Sequence, residues 1–322
     1  MYWHSHEIQN RVQDQIIIPS KNGYVTIPAP DVRSQRKARQ SPSMKSVYWL
    51  TSHFRNNAQF VLMLVGMIMM LGFMGYTIAG FTGIIWILVI SGFGYLVNRN
   101  FSIIQVLRRK KIRSISLDES PVLYIMLERL AQKAGLSKTP SLYLDESPEI
   151  NAYAIESKDD SAIIISQGIL KTLDSREMVG VLAHEVAHLK NKDVQIMLLV
   201  EQIRRFTGYM AFIGQVLLVL NLPLLLLNQV IFPWALVIAL IASPTISVLF
   251  QVAVSRNREF QADLDAVALS EDAVGLASAL NKIAIQNKLL KRFYAPNLKE
   301  VPDLLRTHPA TRQRIQRLEV FQ

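Results

Sequence analysis

The stretch NNAQFVLMLVGMIMMLGFMGYTIAGFTGIIWILVISGFGYLVN, Asn56 to Asn98, contains no Asp, Glu, Lys, Arg or His, and Phe206 to Ser255 is uncharged in the same way. Each block is about twice the roughly 20 residues an α-helix needs to cross a hydrocarbon core, so each reads as a helical hairpin. Buried helices of soluble proteins usually keep a polar face on a 3.6-residue period. Phe60 to Ile78 and Phe81 to Val97 have none, which suits lipid. Four crossings are therefore expected. About 55 polar residues precede the first block, and no short apolar region with a small-residue cleavage site opens the chain, so a cleaved signal peptide is not expected.

The flanks orient the blocks. The formal net charge is +10, and its Lys and Arg residues gather on either side of the first block. Before it lie Arg33, Arg36, Lys37, Arg39, Lys45 and Arg55; after it lie Arg99, Arg108, Arg109, Lys110, Lys111 and Arg113. By the positive-inside rule the N-terminus, the segment from about 99 to 205 and the tail beyond 255 face the cytoplasm. This placement suits anionic headgroups and leaves no need for nucleic acid as a partner. A membrane-tethered nucleic-acid binder would need salt-dependent affinity lodged in Arg108 to Arg113. The chain has no cysteine, which excludes disulfides and thiolate metal ligands and leaves the redox compartment unread.

Between the blocks, helical spacing over Ser120 to Ala134 (Val122, Leu123, Met126, Leu127, Leu130) ends at Gly135, a C-terminal glycine. Ser141 to Leu144 and Ala162 to Ile165 are short apolar runs that predict strands of a small sheet. Asp174 or Ser175 can cap a helix start, and Asp174 with Glu177 has capping-box spacing. The helix that begins there is expected to run past His184 and His188 at least as far as Lys190 and Lys192, with a direct continuation into the second block also open. In the N-terminal arm, Ile16 to Ile18 and Tyr24 to Ile27 are short strand-like runs in an otherwise poorly ordered, polar segment.

His184-Glu185-Val186-Ala187-His188 carries the chemistry. Two imidazoles four residues apart on one helix face can reach a single metal ion, and Glu185, one position round, sits beside the ion as a general base. From residue frequencies such a pattern arises by chance in roughly one chain in two hundred of this length. A catalytic zinc takes three protein ligands and keeps a position open, so a third is needed. Glu259 and Asp263, again four apart, follow the second block directly. Glu259 can ligate while Asp263 accepts the outer N–H of a ligating histidine. A solvated acidic face beside Arg256 and Arg258 is the competing reading.

The segments Val181 to His188, Ser255 to Asp263 and Thr307-His308-Pro309 resemble the HtpX family of membrane zinc endopeptidases, and the likeness runs from about residue 56 to the C-terminus. It implies a mainly α integral membrane protein with four transmembrane helices in two hairpins and a cytoplasmic α+β, zincin-like catalytic domain. Zinc would be bound by His184, His188 and Glu259, with Glu185 as catalytic base and Asp263 in support. Two further residues come with the likeness. Asn151, in Asn151-Ala152-Tyr153-Ala154, would hydrogen-bond substrate or oxyanion, and His308 would polarise the scissile carbonyl, although Asn also closes turns and His-Pro also marks helix ends. The domains expected are an arm at 1–55, hairpins at 56–98 and 206–255, and catalytic segments at 99–205 and 256–322. Implied partners are polypeptide substrates, membrane proteins above all, together with the bilayer of the cytoplasmic membrane; the implied role is protein quality control. An inactive scaffold or chaperone-like binder, stapled by zinc, is the alternative. The arm departs from the family, whose chains begin close to their first span.

One tension accompanies this reading. His188 lies about 18 residues before the second block, roughly 27 Å of helix, whereas Glu259 lies one turn beyond its end. Either the block's last helix projects from the bilayer, or Ile196 to Val200 dips into it with Glu201, Arg204 and Arg205 paired inside protein.

Overall fold

Apolar runs without a polar face have one way to fold in lipid: as helices that pack on one another through small residues. The computed structural model describes residues 15–20, 23–28, 44–99, 112–157, 160–227, 234–294 and 311–322. By internal contacts the chain forms two units, 1–51 and 52–322. In the first, β1 (Gln15–Ser20) and β2 (Gly23–Pro28) pair antiparallel, with Ile16 opposite Ile27 and Ser20 opposite Gly23. The two strand-like runs of the arm thus form a hairpin.

In the second unit, the first uncharged block lies in α1 (Met44–Arg99), which breaks at Ala79 and Gly80. Gly80 takes φ +61°, open to glycine without cost, and the two arms fold back on each other. They approach closely enough that a Cβ on Gly75 would lie 2.7 Å from the Gly83 carbonyl oxygen. The second block is spread over α5 (Asp193–Leu226) and α6 (Trp234–Ser270), each extending well beyond it toward the chemistry. These two helices run antiparallel, with rungs at Gly214 against Leu240, Thr207 against Ser243, Glu201 against Gln251 and Asp193 against Arg258. Three helical stretches are long and apolar enough to cross a membrane among the described residues: Val47–Val97, Asp193–Leu224 and Trp234–Ser270. Met67, Leu71 and Met74 of α1 meet Val200, Ile203, Leu240 and Val254 in a shared core, while Leu62, Phe73, Phe81 and Trp86 stay exposed, as lipid-facing residues must.

The remaining elements form an α+β layer. Four strands, β3 (Ile112–Ser114), β4 (Ser141–Asp145), β5 (Ala152–Glu156) and β6 (Ser161–Ser166), lie in the order β3-β4-β6-β5. Only β4 and β6 run parallel; β3 and β5 pair antiparallel to their neighbours. Ala162 to Ile165 on β6 are wholly buried, which explains their uninterrupted apolar run. Helix α2 (Pro121–Ala134) ends at Gly135, whose φ of +73° lets its amide and the next reach back to carbonyls of the last turn. A short helix α3 (Gln167–Thr172) leads to α4 (Ser175–Lys190), whose Asp174–Glu177 capping box is reciprocal. Helices α7 (Ala273–Tyr294) and α8 (Thr311–Leu318) complete the described chain, with a terminal 3-10 turn. Leu182, Ala183, Val186 and Ala187 of α4 have no exposed surface, so the helix that carries the histidines is the centre of this core.

Helix α4 stops two residues short of the expected Lys192. Lys192 adopts φ +55°, the Asn191 amide is drawn to Asp265, and Asp193 opens a new helix. A left-handed residue cannot continue a right-handed helix, so the chain turns here.

Candidate metal centre

Helix α4 presents His184 and His188 on one face, their Nε2 atoms 3.1 Å apart and their rings edge to face. Helix α6 brings Glu259 to them, with one oxygen 3.5 Å from His184 Nε2 and the other 3.9 Å from His188 Nε2. One donor atom from each of the three residues falls within 4.8 Å of the others, a grouping that could hold a metal ion. Glu259 and Asp263 are 6% and 3% exposed, so the solvated-face reading does not hold. Arg258, at 6%, is buried with them.

Each histidine has a carboxylate behind it. Asp263 lies 3.2 Å from His184 Nδ1, and Asp193 lies 2.7 Å from His188 Nδ1. Such partners fix the tautomer and turn the Nε2 lone pair toward the other donors. Asp263 in turn accepts two hydrogen bonds from the Arg314 guanidinium, at 2.8 and 2.6 Å, and a third Arg314 nitrogen sits 3.0 Å from Glu259. Asp193 pairs with Arg258. Glu185 is buried and its carboxylate accepts the backbone N–H of Ala154 on β5. Asn151 is exposed at the head of β5, its backbone tied to Ser166, whose hydroxyl accepts the Asn151 N–H at 3.0 Å. His308, with Thr307 and Pro309, lies outside the described residues.

The electrostatics favour a cation. Burial and the Arg314 charge push the His184 imidazole down, yet the hydrogen bonds to Asp263 and Glu259 outweigh them and lift it to about 10. The carboxylates around the histidine pair thus favour positive charge at this position. Burial pushes the Glu185 carboxyl up from its ordinary range, against the opposing pull of the two histidines. An N,N,O donor set with both outer nitrogens supported by buried carboxylates suits zinc.

Asp193, Arg258 and Arg314 were not assigned site roles from sequence. Asp193 stands beyond the helix end, where periodicity is silent, and Arg314 reaches Asp263 across 51 positions. Two buried Arg–Asp pairs leave no local pattern.

Residues 119–321 match Peptidase family M48. Among curated proteins, the chain is 33% identical over 278 residues to a Protease HtpX homolog of Aquifex aeolicus, covering 76% of this chain and 86% of the relative. It is 30% identical over 289 residues to a Protease HtpX homolog of Pelotomaculum thermopropionicum, covering 83% and 99%. A crystal structure of S. mikatae Ste24p aligns over 84% of this chain and 66% of its own, at 18% identity and a TM-score of 0.47. Matched over nearly two-thirds of its length, with the histidine pair and its carboxylate inside the matched span, the chain belongs to peptidase family M48 and is a membrane metalloprotease.

Proposed function

We propose that the chain is a zinc endopeptidase that cleaves damaged or misassembled membrane proteins at a cytoplasmic site beside the bilayer. The grouping of His184, His188 and Glu259, with Glu185 buried beside it, is the observation that carries this reading. These three residues would hold the zinc, the histidines by imidazole nitrogens and Glu259 by its carboxylate. Zinc bound there supplies Lewis-acid polarisation of the scissile carbonyl and of a water molecule. Everything else is done by the chain. Glu185 takes the proton from the attacking water and returns it to the leaving amine; its upward-shifted carboxyl is suited to both transfers. Asp263 and Asp193 keep the imidazoles turned inward. Asn151 supplies a donor to substrate or oxyanion, and His308 polarises the carbonyl.

Strand β5 offers a way to align substrate. Among the described residues it pairs on one side alone, with β6, and its Ala154 N–H is directed at Glu185. An extended polypeptide added along the open edge would pass the base. The two arms of α1, with α5 and α6, make four crossings, and the basic flanks keep both termini cytoplasmic. The first of the two ways to reconcile His188 with Glu259 is favoured: α6 continues unbroken from Trp234 past Glu259, while the Arg204 and Arg205 side chains that pair with Glu201 are not enclosed by protein.

The test is Glu185→Gln in detergent, with metal analysis and cleavage of casein or a membrane protein. Zinc content should match wild type, and cleavage should fall by about a thousandfold or more, as befits loss of a group acting in the transition state. Wild-type cleavage by the variant would end the proposal.

A further inference from the structure

Asp193 is 3% exposed, and both of its oxygens are engaged: one faces His188 Nδ1 at 2.7 Å and the other pairs with Arg258 Nε. The Arg258 guanidinium in turn sits over the ring of Phe60, 5.3 Å from its centroid. Phe60 belongs to the first arm of α1, and the neighbouring Asn257 donates to Gln59 on the same arm at 3.3 Å. A continuous line of contacts therefore runs from a histidine of the metal grouping, through a buried ion pair, to the first membrane hairpin. The two histidines differ here. The carboxylate behind His184 comes from the same helix as Glu259, whereas the one behind His188 opens α5 and is tied to a different hairpin.

We propose that Asp193 and Arg258 are a positioning pair for His188, and that packing of Arg258 on Phe60 makes the orientation of this metal ligand depend on the seating of the first membrane hairpin. With Nδ1–H donated to Asp193, the His188 Nε2 lone pair faces His184 and Glu259, the direction a metal requires. Arg258 fixes the Asp193 carboxylate in place; left unpaired in a buried site, that carboxylate would be held far less firmly. Phe60 limits where the guanidinium can go, through contact with its face. Neither Asp193 nor Arg258 touches a reacting atom, so their effect passes through His188.

The inference rests on the zinc reading above, and the test separates the two. Full-length protein in detergent is stripped with chelator and titrated with cobalt(II), whose visible spectrum reports ligand geometry, and with zinc against a competing chelator. Asp193→Asn should bind zinc about 10- to 100-fold more weakly and alter the cobalt spectrum, and Asp193→Glu should recover part of both. Phe60→Leu, which keeps the site's charges, should weaken zinc binding about threefold and shift the cobalt spectrum in the same direction, consistent with loss of a cation–π contact. It also carries the test if Asp193→Asn does not fold, as judged by circular dichroism. Wild-type affinity and spectrum in a folded Asp193→Asn protein would overturn the positioning role, and the same result in Phe60→Leu would overturn the link to the hairpin. Absence of metal binding in wild type would instead overturn the zinc reading.

Discussion

The two apolar hairpins are built alike and used differently. The first turns within two residues at Ala79 and Gly80, and its arms touch glycine to glycine. The second has longer helices that do not stop where the apolar sequence stops: α5 begins at Asp193 and α6 ends at Ser270, so the rungs of one antiparallel pair run from Gly214 and Leu240 to Asp193 and Arg258. Glu259 and Asp263 ride on the same α6. One hairpin supports the site from its flank; the other is part of it. Continuous helices transmit a displacement along their whole length, so equal steric insults to the two hairpins should have unequal chemical consequences.

Gly214→Leu gives the largest effect on zinc. A Cβ there already falls 2.7 Å from Leu240 Cβ and 3.1 Å from an Ile241 side-chain carbon, so a leucine must push α5 and α6 apart. We expect about 3 kcal/mol of destabilisation or more, read by thermal unfolding in detergent, with zinc loss from the fraction that remains folded. Full zinc occupancy there would break the contrast. Gly83→Val sets a Cβ against the Gly75 carbonyl at the tip of the first hairpin. A Cβ there would collide with that carbonyl oxygen, so it should cost about 3 kcal/mol or more by the same measurement, while the folded fraction keeps more of its zinc than Gly214→Leu does. If this variant loses zinc as readily as Gly214→Leu, the hairpins are equivalent.

The smallest effect calibrates the other two, because it lies outside both hairpins. Glu177 accepts from Ser278 at 2.6 Å, from Lys282 at 2.8 Å and from its own N-cap backbone at 3.0 Å. Burial raises its carboxyl, but these donors outweigh burial and hold it below the ordinary range. Because the folded value is depressed, the carboxylate's contribution is complete above the unfolded value near ~4.3 and disappears as pH falls through the folded value. Glu177→Gln should cost about 1.5 kcal/mol at pH 7, and the gap to wild type should close as unfolding is measured below about pH 4. A gap that widens on acidification would reverse the sign.

What could be read from sequence was whatever repeats with a short period. The His184–His188 spacing, the Asp174–Glu177 box, Gly135 and the strands around Leu142 and Ile163 are all local, and each lies where local chemistry sets it. Strand β5 escaped notice because Ala152 to Glu156 are all half-buried, without the alternation that marks a strand. The break at Lys192 escaped because a lysine carries no signal for positive φ. Arg258 read as a surface charge because its partner lies 65 positions away and is hidden with it.

That break at Lys192 has a consequence for how the chemistry is spelled in this chain. Helical geometry places two ligands four letters apart, but the bend that follows makes a fifth-letter neighbour equally close, putting an aspartate against the second imidazole. The working word is therefore not the five letters from His184 to Glu185 to His188 but the ten that end at Asp193, seven written in helix and three round the corner where the helix gives out.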